Sequence, residues 1–412
     1  MSLPDHDNPP DLSTLSLSTP EPHQEAEPEP EPEAEAGTEA GAELLPHRSH
    51  DPLTNLKRTD PFKFGSRYLS PQDNIYEFNA WDHVTPDSAF EHYAASQYAF
   101  QSSHPVSAYD ATRFNTHPEK WWNKFYANNT SNFFKDRKWL QQEFPILKEV
   151  TKRGVGRKVV LEVGAGAGNT AFPILKANAN EELMVHAVDF SERAVEIIRG
   201  DGQYDERYVK ASVWDVASTE GLPEGVEEGS VDVVVMVFMF SALSPEQWER
   251  AVANVWRCLK EGGEVCFRDY GKGDLTQVRF KRERLLEGRF YVRGDGTRVY
   301  FFEEEELRRI WGNEAAKTDV GDEAVERTKG EASEEPTATR NGFSKIDGDV
   351  VNGTIAETKG NPDDPSPTSK HAFEIVSLGV DRRMLVNRQK QLKMYRCWIQ
   401  GHFRKPYAFP PK

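Results

Sequence analysis

The sequence predicts an α/β protein built on a doubly wound, mostly parallel sheet, seven-stranded, with an antiparallel hairpin at one edge. Three observations predict it. Apolar runs of strand length alternate with amphipathic runs of helix length from Lys158 to Gly263, the pattern of a parallel sheet covered by helices. A glycine burst, "GAGAGN", follows the first apolar run, and the carboxyl ends of such strands are where doubly wound sheets bind ligands. Two late β-rich segments lack a convincing helix between them, which fits a hairpin better than a crossover.

Each element follows from its own residues. "KVVLEVG" is an apolar strand, and a helix runs from Ala171 to Ala177. "LMVHAVD" is a second strand and "SERAVEIIRG" a helix starting on Ser191. "RYVKASVWD" gives a third strand, and "SVDVVVMVFMF" a fourth that its composition marks as buried. In "SPEQWERAVANVWRCLKEGG", Ser244 caps a helix, Pro245 occupies its first turn and glycine stops it. "EVCFRDYG" is the fifth strand, and "AFEIVSLGV" and "MYRCWIQGHF" form the closing pair.

Composition sets the domain plan. Residues 1–60 are rich in Pro, Glu and Ser and read as a disordered acidic tail. Residues 313–370 have the same character and read as a disordered acidic insertion, tolerable because loop-closure entropy grows slowly with length. Residues 61–150 form an N-terminal extension, and 151–412 form the sheet domain that carries the insertion. The net charge of −16 therefore does not exclude a nucleic-acid partner: −11 lies in 1–60 and −6 in 313–370, leaving +1 elsewhere. From Asp381 to Lys412 there are nine Lys/Arg against one acid. No apolar run of about twenty residues exists, so no membrane span is expected. The first residues lack a basic start and an apolar signal core. The three cysteines, Cys258, Cys266 and Cys397, have no metal-ligand spacing and cannot all pair, which points to a reduced, cytoplasmic setting without a metal.

Gly164, Gly166 and Gly168 are spaced G-x-G-x-G, one residue tighter than the dinucleotide fingerprint. Glu162 precedes them, Asp189 ends the second strand and Asp215 ends the third. A pyrophosphate wants helix N–H groups and no nearby acids, whereas S-adenosylmethionine has no phosphate and carries a sulfonium and an ammonium. Three acids around the loop suit the second ligand, with Asp189 on the ribose hydroxyls and Asp215 near the adenine amino group. The fold expected is that of class I S-adenosylmethionine-dependent methyltransferases. The fourth strand runs into "VFMFSALSPEQW" rather than [N/D]-P-P-[Y/F/W], which disfavours methylation of an exocyclic amine. The fifth ends in Arg268, Asp269 and Tyr270, at the sheet edge beside the cofactor; a buried Arg–Asp ion pair is the alternative reading of the first two.

Here the residues resemble a known family, the methyltransferases that form 3-methylcytidine at position 32 of the tRNA anticodon loop. The resemblance rests on "WWNKFYANNTSNFFKDRKWL", "LEVGAGAGN", "VDFSERAVE", "VDVVVMVFMFSAL", "FRDYGKGD", "RFYVRGDGTRVYFF" and "RKP". "FGSRYLSPQDNIYEFNAWDHV" resembles the branch acting on threonine tRNAs, some of whose members also act on arginine or serine tRNAs. It implies cofactor contacts at Trp122, Tyr126, Gly164, Asp189, Asp215 and Val237. Some relatives work with an aminoacyl-tRNA synthetase, so that or another accessory protein is an open expectation.

The chemistry agrees. Cytosine N3 has an in-plane lone pair and needs no general base, while its methylation leaves the base cationic. A carboxylate would stabilise that charge; Asp269 is the candidate, with Arg268 and Tyr270 orienting it or touching the flipped base. Unpaired bases are read by stacking and phosphate contacts. Phe133, Phe134, Lys135, Arg137, Lys138 and Trp139 offer both in one stretch, although Phe133 and Phe134 fit a core-facing role equally well. Arg293 and Arg298 flank a Gly/Asp hairpin turn, where a solvated turn is the alternative. Two competing functions are a class I methyltransferase of a protein or small molecule, and a silent tRNA-binding scaffold.

Overall fold

A computed structural model describes residues 67–131, 133–137, 139–312 and 371–408. The segments expected to be disordered, 1–60 and 313–370, lie outside the described residues, as does Lys138. The chain starts with β1 (Ala80–Asp82), α1 (Ser88–Ser103), α2 (Ala108–Thr116), α3 (Pro118–Asn129), α4 (Leu140–Glu143) and α5 (Ile146–Val150). There follow β2 (Lys158–Val163), α6 (Ala171–Lys176), β3 (Leu183–Asp189), α7 (Glu192–Arg199), β4 (Val209–Val213), β5 (Val231–Val237) and α8 (Pro245–Cys258). The rest is β6 (Leu259–Tyr270), α9 (Leu275–Val278), β7 (Leu285–Glu287), β8 (Phe290–Val292), β9 (Arg298–Tyr300), α10 (Glu304–Gly312), β10 (Glu374–Asn387) and β11 (Leu392–Arg404).

The main sheet runs β1-β10-β11-β6-β5-β2-β3-β4. Strands β6, β5, β2, β3 and β4 are parallel neighbours. Strands β11, β10 and β1 extend the sheet antiparallel. Strand alternation divides the core: Val234 and Met236 of β5 pack with Trp248, Val252 and Val255 of α8, while Val233 and Val235 pack with Val195 and Ile198 of α7. Helices thus cover both faces. The helix starts are written in the sequence, since Ser244 and Gln247 form a capping box on α8 and the Ser191 hydroxyl accepts from Ala194 N–H on α7.

The strand count corrects the expectation of seven. An eighth strand, β1, comes from the N-terminal extension and pairs Ala80 with Leu385 and Asp82 with Arg383. Three residues have no readable periodicity; the strand exists because Trp81 is fully buried against Met384, Val386 and Tyr395. A separate three-stranded antiparallel sheet, β7-β8-β9, follows β6. The extension is fixed to this sheet by Gln101, whose buried amide donates to the carbonyls of Gln277 and Phe280, each at 3.0 Å, and accepts from the Tyr291 hydroxyl at 2.9 Å.

The ion pair of Arg268 is made with Asp381, not with Asp269 as the alternative reading had it. Neighbouring residues of a strand point to opposite faces, so Arg268 turns toward the closing hairpin. It donates to Asp381 Oδ2 at 2.6 Å and Gln400 Oε1 at 2.7 Å. The rings of Trp139 and Trp398 lie 5.3 and 5.0 Å from its guanidinium carbon. Arg268 is 2% exposed and Asp381 1% exposed, so neither charge is solvated. Asp381→Ala leaves that guanidinium buried without its carboxylate and should cost about 3–5 kcal/mol. Urea unfolding of the variant against the parent chain checks this; a loss below about 1 kcal/mol would assign the pair no structural weight.

Candidate active site

A cleft opens at the carboxyl ends of the parallel strands. Its floor is the loop after β2. Gly164, Gly166 and Gly168 all have positive φ, at 71°, 60° and 86°. A Cβ on Gly164 would stand 2.5 Å from the Met239 Cβ, and one on Gly166 would stand 2.6 Å from the Tyr126 hydroxyl. Only glycine satisfies both demands.

The acids follow in strand order. Asp189, at the end of β3, is 8% exposed and accepts from Gly166 N–H and Ser191 N–H, each at 2.8 Å. Burial pushes its carboxyl up to about 6. Asp215 lies two residues beyond β4, lines the cleft and accepts from Ala217 N–H at 2.9 Å. Glu162 is 1% exposed, and burial raises it to about 7 against the opposing pull of Arg137. Its Oε2 is buried without a hydrogen-bond partner.

The extension forms one wall. Trp122 and Tyr126 of α3 stack at 6.1 Å and both line the cleft. The Asn123 side-chain oxygen accepts from the Ser191 hydroxyl at 2.6 Å, which holds α3 against the start of α7. Phe133 and Phe134 pack on Phe125, the core-facing alternative, and Phe134 also reaches the cleft.

Several residues sit elsewhere than expected. Arg137 turns inward: it donates to Thr170 Oγ1 at 2.8 Å, lies 3.8 Å from Glu162 and lines the cleft, which corrects its placement on an RNA-facing surface. Lys135 is exposed. Arg298 is 5% exposed, donates to Asn115 Oδ1 at 3.0 Å and to the Ala242 carbonyl at 3.2 Å, and lines the cleft rather than a solvated turn. The Arg293 guanidinium lies 5.7 Å from the Tyr270 ring centre. Asp269 is fully buried behind the cleft wall, accepting from Ser241 N–H at 2.9 Å and Tyr270 N–H at 2.8 Å. Val237 lines the cleft, and so do Phe238, Phe190 and Trp214, which sequence reasoning missed. An apolar residue after a strand carries no signal of its own; only the converging strand ends make it a wall.

The chain is similar to well-described proteins. A methyltransferase-domain family model matches residues 161–265. The tRNA N(3)-methylcytidine methyltransferase trm140 of Schizosaccharomyces pombe is 40% identical, the match covering 88% of this chain and all of that one. The chain belongs to the tRNA N3-methylcytidine methyltransferase family. The family member Mettl2 of Drosophila melanogaster is 37% identical, over 85% of this chain and 90% of that one. The tRNA(Thr) (cytosine(32)-N(3))-methyltransferase of Saccharomyces cerevisiae is 43% identical over 86% of this chain, which spans only 47% of that relative's length. A SAM-dependent methyltransferase from Methanosarcina mazei aligns with a TM-score of 0.37 at 14% identity, over 64% of this chain and 99% of that one.

The family's cofactor is S-adenosylmethionine, and the cleft suits it. The glycine floor admits close backbone approach, and the acids Asp189 and Asp215 line the cleft, where they disfavour a phosphate and suit a cation. Both raised carboxyls, Asp189 and Glu162, hold protons in the ligand-free fold at a pH where the unfolded chain has lost them. They contribute stability that is complete below about pH 4 and is lost as pH rises through about 6 to 7. A cationic ligand prefers the anions, so affinity for S-adenosylmethionine should fall as pH is lowered from about 8 to about 5.5. Calorimetric titrations at several pH values check this, and a flat profile contradicts it. At pH 8, Asp189→Ala should weaken binding by about 2–4 kcal/mol, as charge-assisted hydrogen bonds to the ligand are lost.

Proposed function

We propose that this chain forms 3-methylcytidine at position 32 of the anticodon loop, in threonine tRNAs and their near relatives, as a cytoplasmic enzyme. The observation that supports it most is the order of the strand ends along the cleft. Asp215 after β4 and Asp189 after β3 would hold the nucleoside half of the cofactor. The glycine loop after β2 would take its amino-acid half, with Glu162 and Arg137 beside it. The reactive end would then face β5 and β6, whose ends carry Phe238 and Tyr270.

When bound, S-adenosylmethionine supplies a methyl group on cationic sulfur: the N3 lone pair forms the new N–C bond as the S–C bond breaks, its electron pair stays on sulfur, and the positive charge passes to the base. The protein's part is positional. N3 carries no proton at neutral pH, so no side chain has to remove one. Trp122 and Tyr126 would exclude water, and the extension carrying them would serve as both cofactor cap and RNA surface. Exposed Lys135, beside the cleft residue Phe134, would meet phosphate. An aminoacyl-tRNA synthetase or similar protein would be a partner in tRNA selection.

Asp269 acts here as a positioning residue, because both of its oxygens are engaged by backbone N–H groups behind the wall. Asp269→Asn forces an amide NH2 against one of those donors and shifts the turn carrying Met239 to Ala242. Single-turnover methyl transfer should fall roughly a hundredfold, the cost of a small misplacement, with S-adenosylhomocysteine affinity changed by less than about threefold. Full activity would remove Asp269 from the mechanism. Nucleoside mass spectrometry of tRNA from a deletion strain tests the reading as a whole. Loss of 3-methylcytidine from threonine tRNA is expected; unchanged 3-methylcytidine would direct the search to proteins or small molecules.

A further inference from the structure

Phe238 is a phenylalanine in the left-handed backbone region, with φ at 56°. A bulky side chain there is a rare and strained choice, and such strain gathers at functional sites. The position is firmly held. Val237 still pairs in the sheet with Arg268, and Phe238 N–H donates to the Arg268 carbonyl at 2.8 Å. The strand therefore ends in a forced turn whose effect is to aim one ring. That ring is half-buried and lines the cleft. Behind it lies Tyr270, with ring centres 5.0 Å apart and planes at 47°, too close for a base to enter between them. Tyr270 is in turn backed by Phe301 at 5.7 Å and overlain by the Arg293 guanidinium. The segment just after β9 stiffens the ring from behind through the bond from Phe302 N–H to the Tyr270 carbonyl at 2.9 Å.

We propose that the cleft-facing side of the Phe238 ring is the platform on which the acceptor cytosine stacks, and that its π-face stabilises the positive charge the base acquires. This rests on the function proposed above. Strand order places the ring on the β5 side of the glycine loop, opposite the two aspartates, where the acceptor must lie. A cation above an aromatic face is stabilised by the ring's quadrupole, the more so as the site is desolvated. No carboxylate is needed for that task, and Asp269, turned to backbone donors behind the wall, does not supply one. The enforced left-handed turn then has a physical reason. An ordinary φ would carry the ring along a different direction and leave the cleft wall without its platform.

The test uses the full chain and an anticodon stem-loop carrying pyrrolo-cytidine at the acceptor position, with S-adenosylhomocysteine bound. The parent chain should quench the fluorescent base as it stacks. Phe238→Leu keeps bulk but removes the ring; Phe238→Gly removes the ring and relieves the strained φ, so a folded ring-less variant is available even if the leucine variant unfolds. At saturating RNA, both should lose most of the quenching and methylate the unlabelled stem-loop roughly ten- to a hundredfold more slowly in single turnover. Phe238→Tyr should restore quenching and rate. Parent-like quenching and rate in both ring-less variants would overturn the proposal. Failure of the parent chain itself to methylate N3 would instead overturn the function on which it rests, and the two outcomes are distinct.

Discussion

One buried guanidinium joins the two halves of this sheet. Arg268 sits on β6, the last parallel strand, and bonds to Asp381 of β10 and Gln400 of β11, the antiparallel hairpin beside it. Trp139 covers it from the segment that also carries Phe134 and Arg137 into the cleft. A charge removed from water must be answered on every side. The closing hairpin, the fifth parallel strand and the loop before α4 therefore have one mutual arrangement. The consequence reaches the site, because Arg268 and Asp269 are neighbours on a strand. Once the first faces the hairpin, the second must face the turn after β5.

That turn forms one wall of the cleft. Asp269 bonds to Ser241 N–H, Met239 packs over Gly164, and Phe238 is held in its unusual conformation by a sheet bond to Arg268. Three residues within four positions, Phe238, Met239 and Ser241, thus serve three purposes: presenting a ring, closing the glycine floor and anchoring the wall. Asp189 and Asp215 line the far side of the cleft. Buried Glu162 and Asp189 are raised in pKa while the cleft is without ligand, and a sulfonium and an ammonium would draw both toward the charged form.

The N-terminal extension is part of this machinery and not an appendage. Its α3 lays Trp122 and Tyr126 over the glycine loop, its Gln101 is fully buried against the β7-β8-β9 sheet, and its β1 completes the main sheet. Two polar side chains, Gln101 and Asn123, do the fixing; the amide of Gln101 is buried and must be fully satisfied, so it tolerates one docking position only.

The parallel strands, their helices and the glycine loop were legible in the sequence because each depends on local rules: continuous valines, serine caps, and a turn that demands positive φ. Glu162, Asp189 and Asp215 were legible for the same reason, being fixed by their offset from strand ends. The family motifs added the substrate class. What remained hidden depends on distant partners. Strand β1 is three residues long and exists through a strand about three hundred residues away. Arg137 and Arg298 looked like surface cations, since sequence gives a charge but not the direction of a long flexible side chain; their partners Thr170 and Asn115 turn them inward. Asp269 looked like a reacting carboxylate until the alternation of β6 placed it behind the wall, and Phe238 gave no sign at all. The sequence by itself determined the fold and the ligand's chemistry, which follow from short-range pattern. Only the tertiary structure decided which side chains face the cleft, because that is settled by packing between segments that the chain order keeps apart.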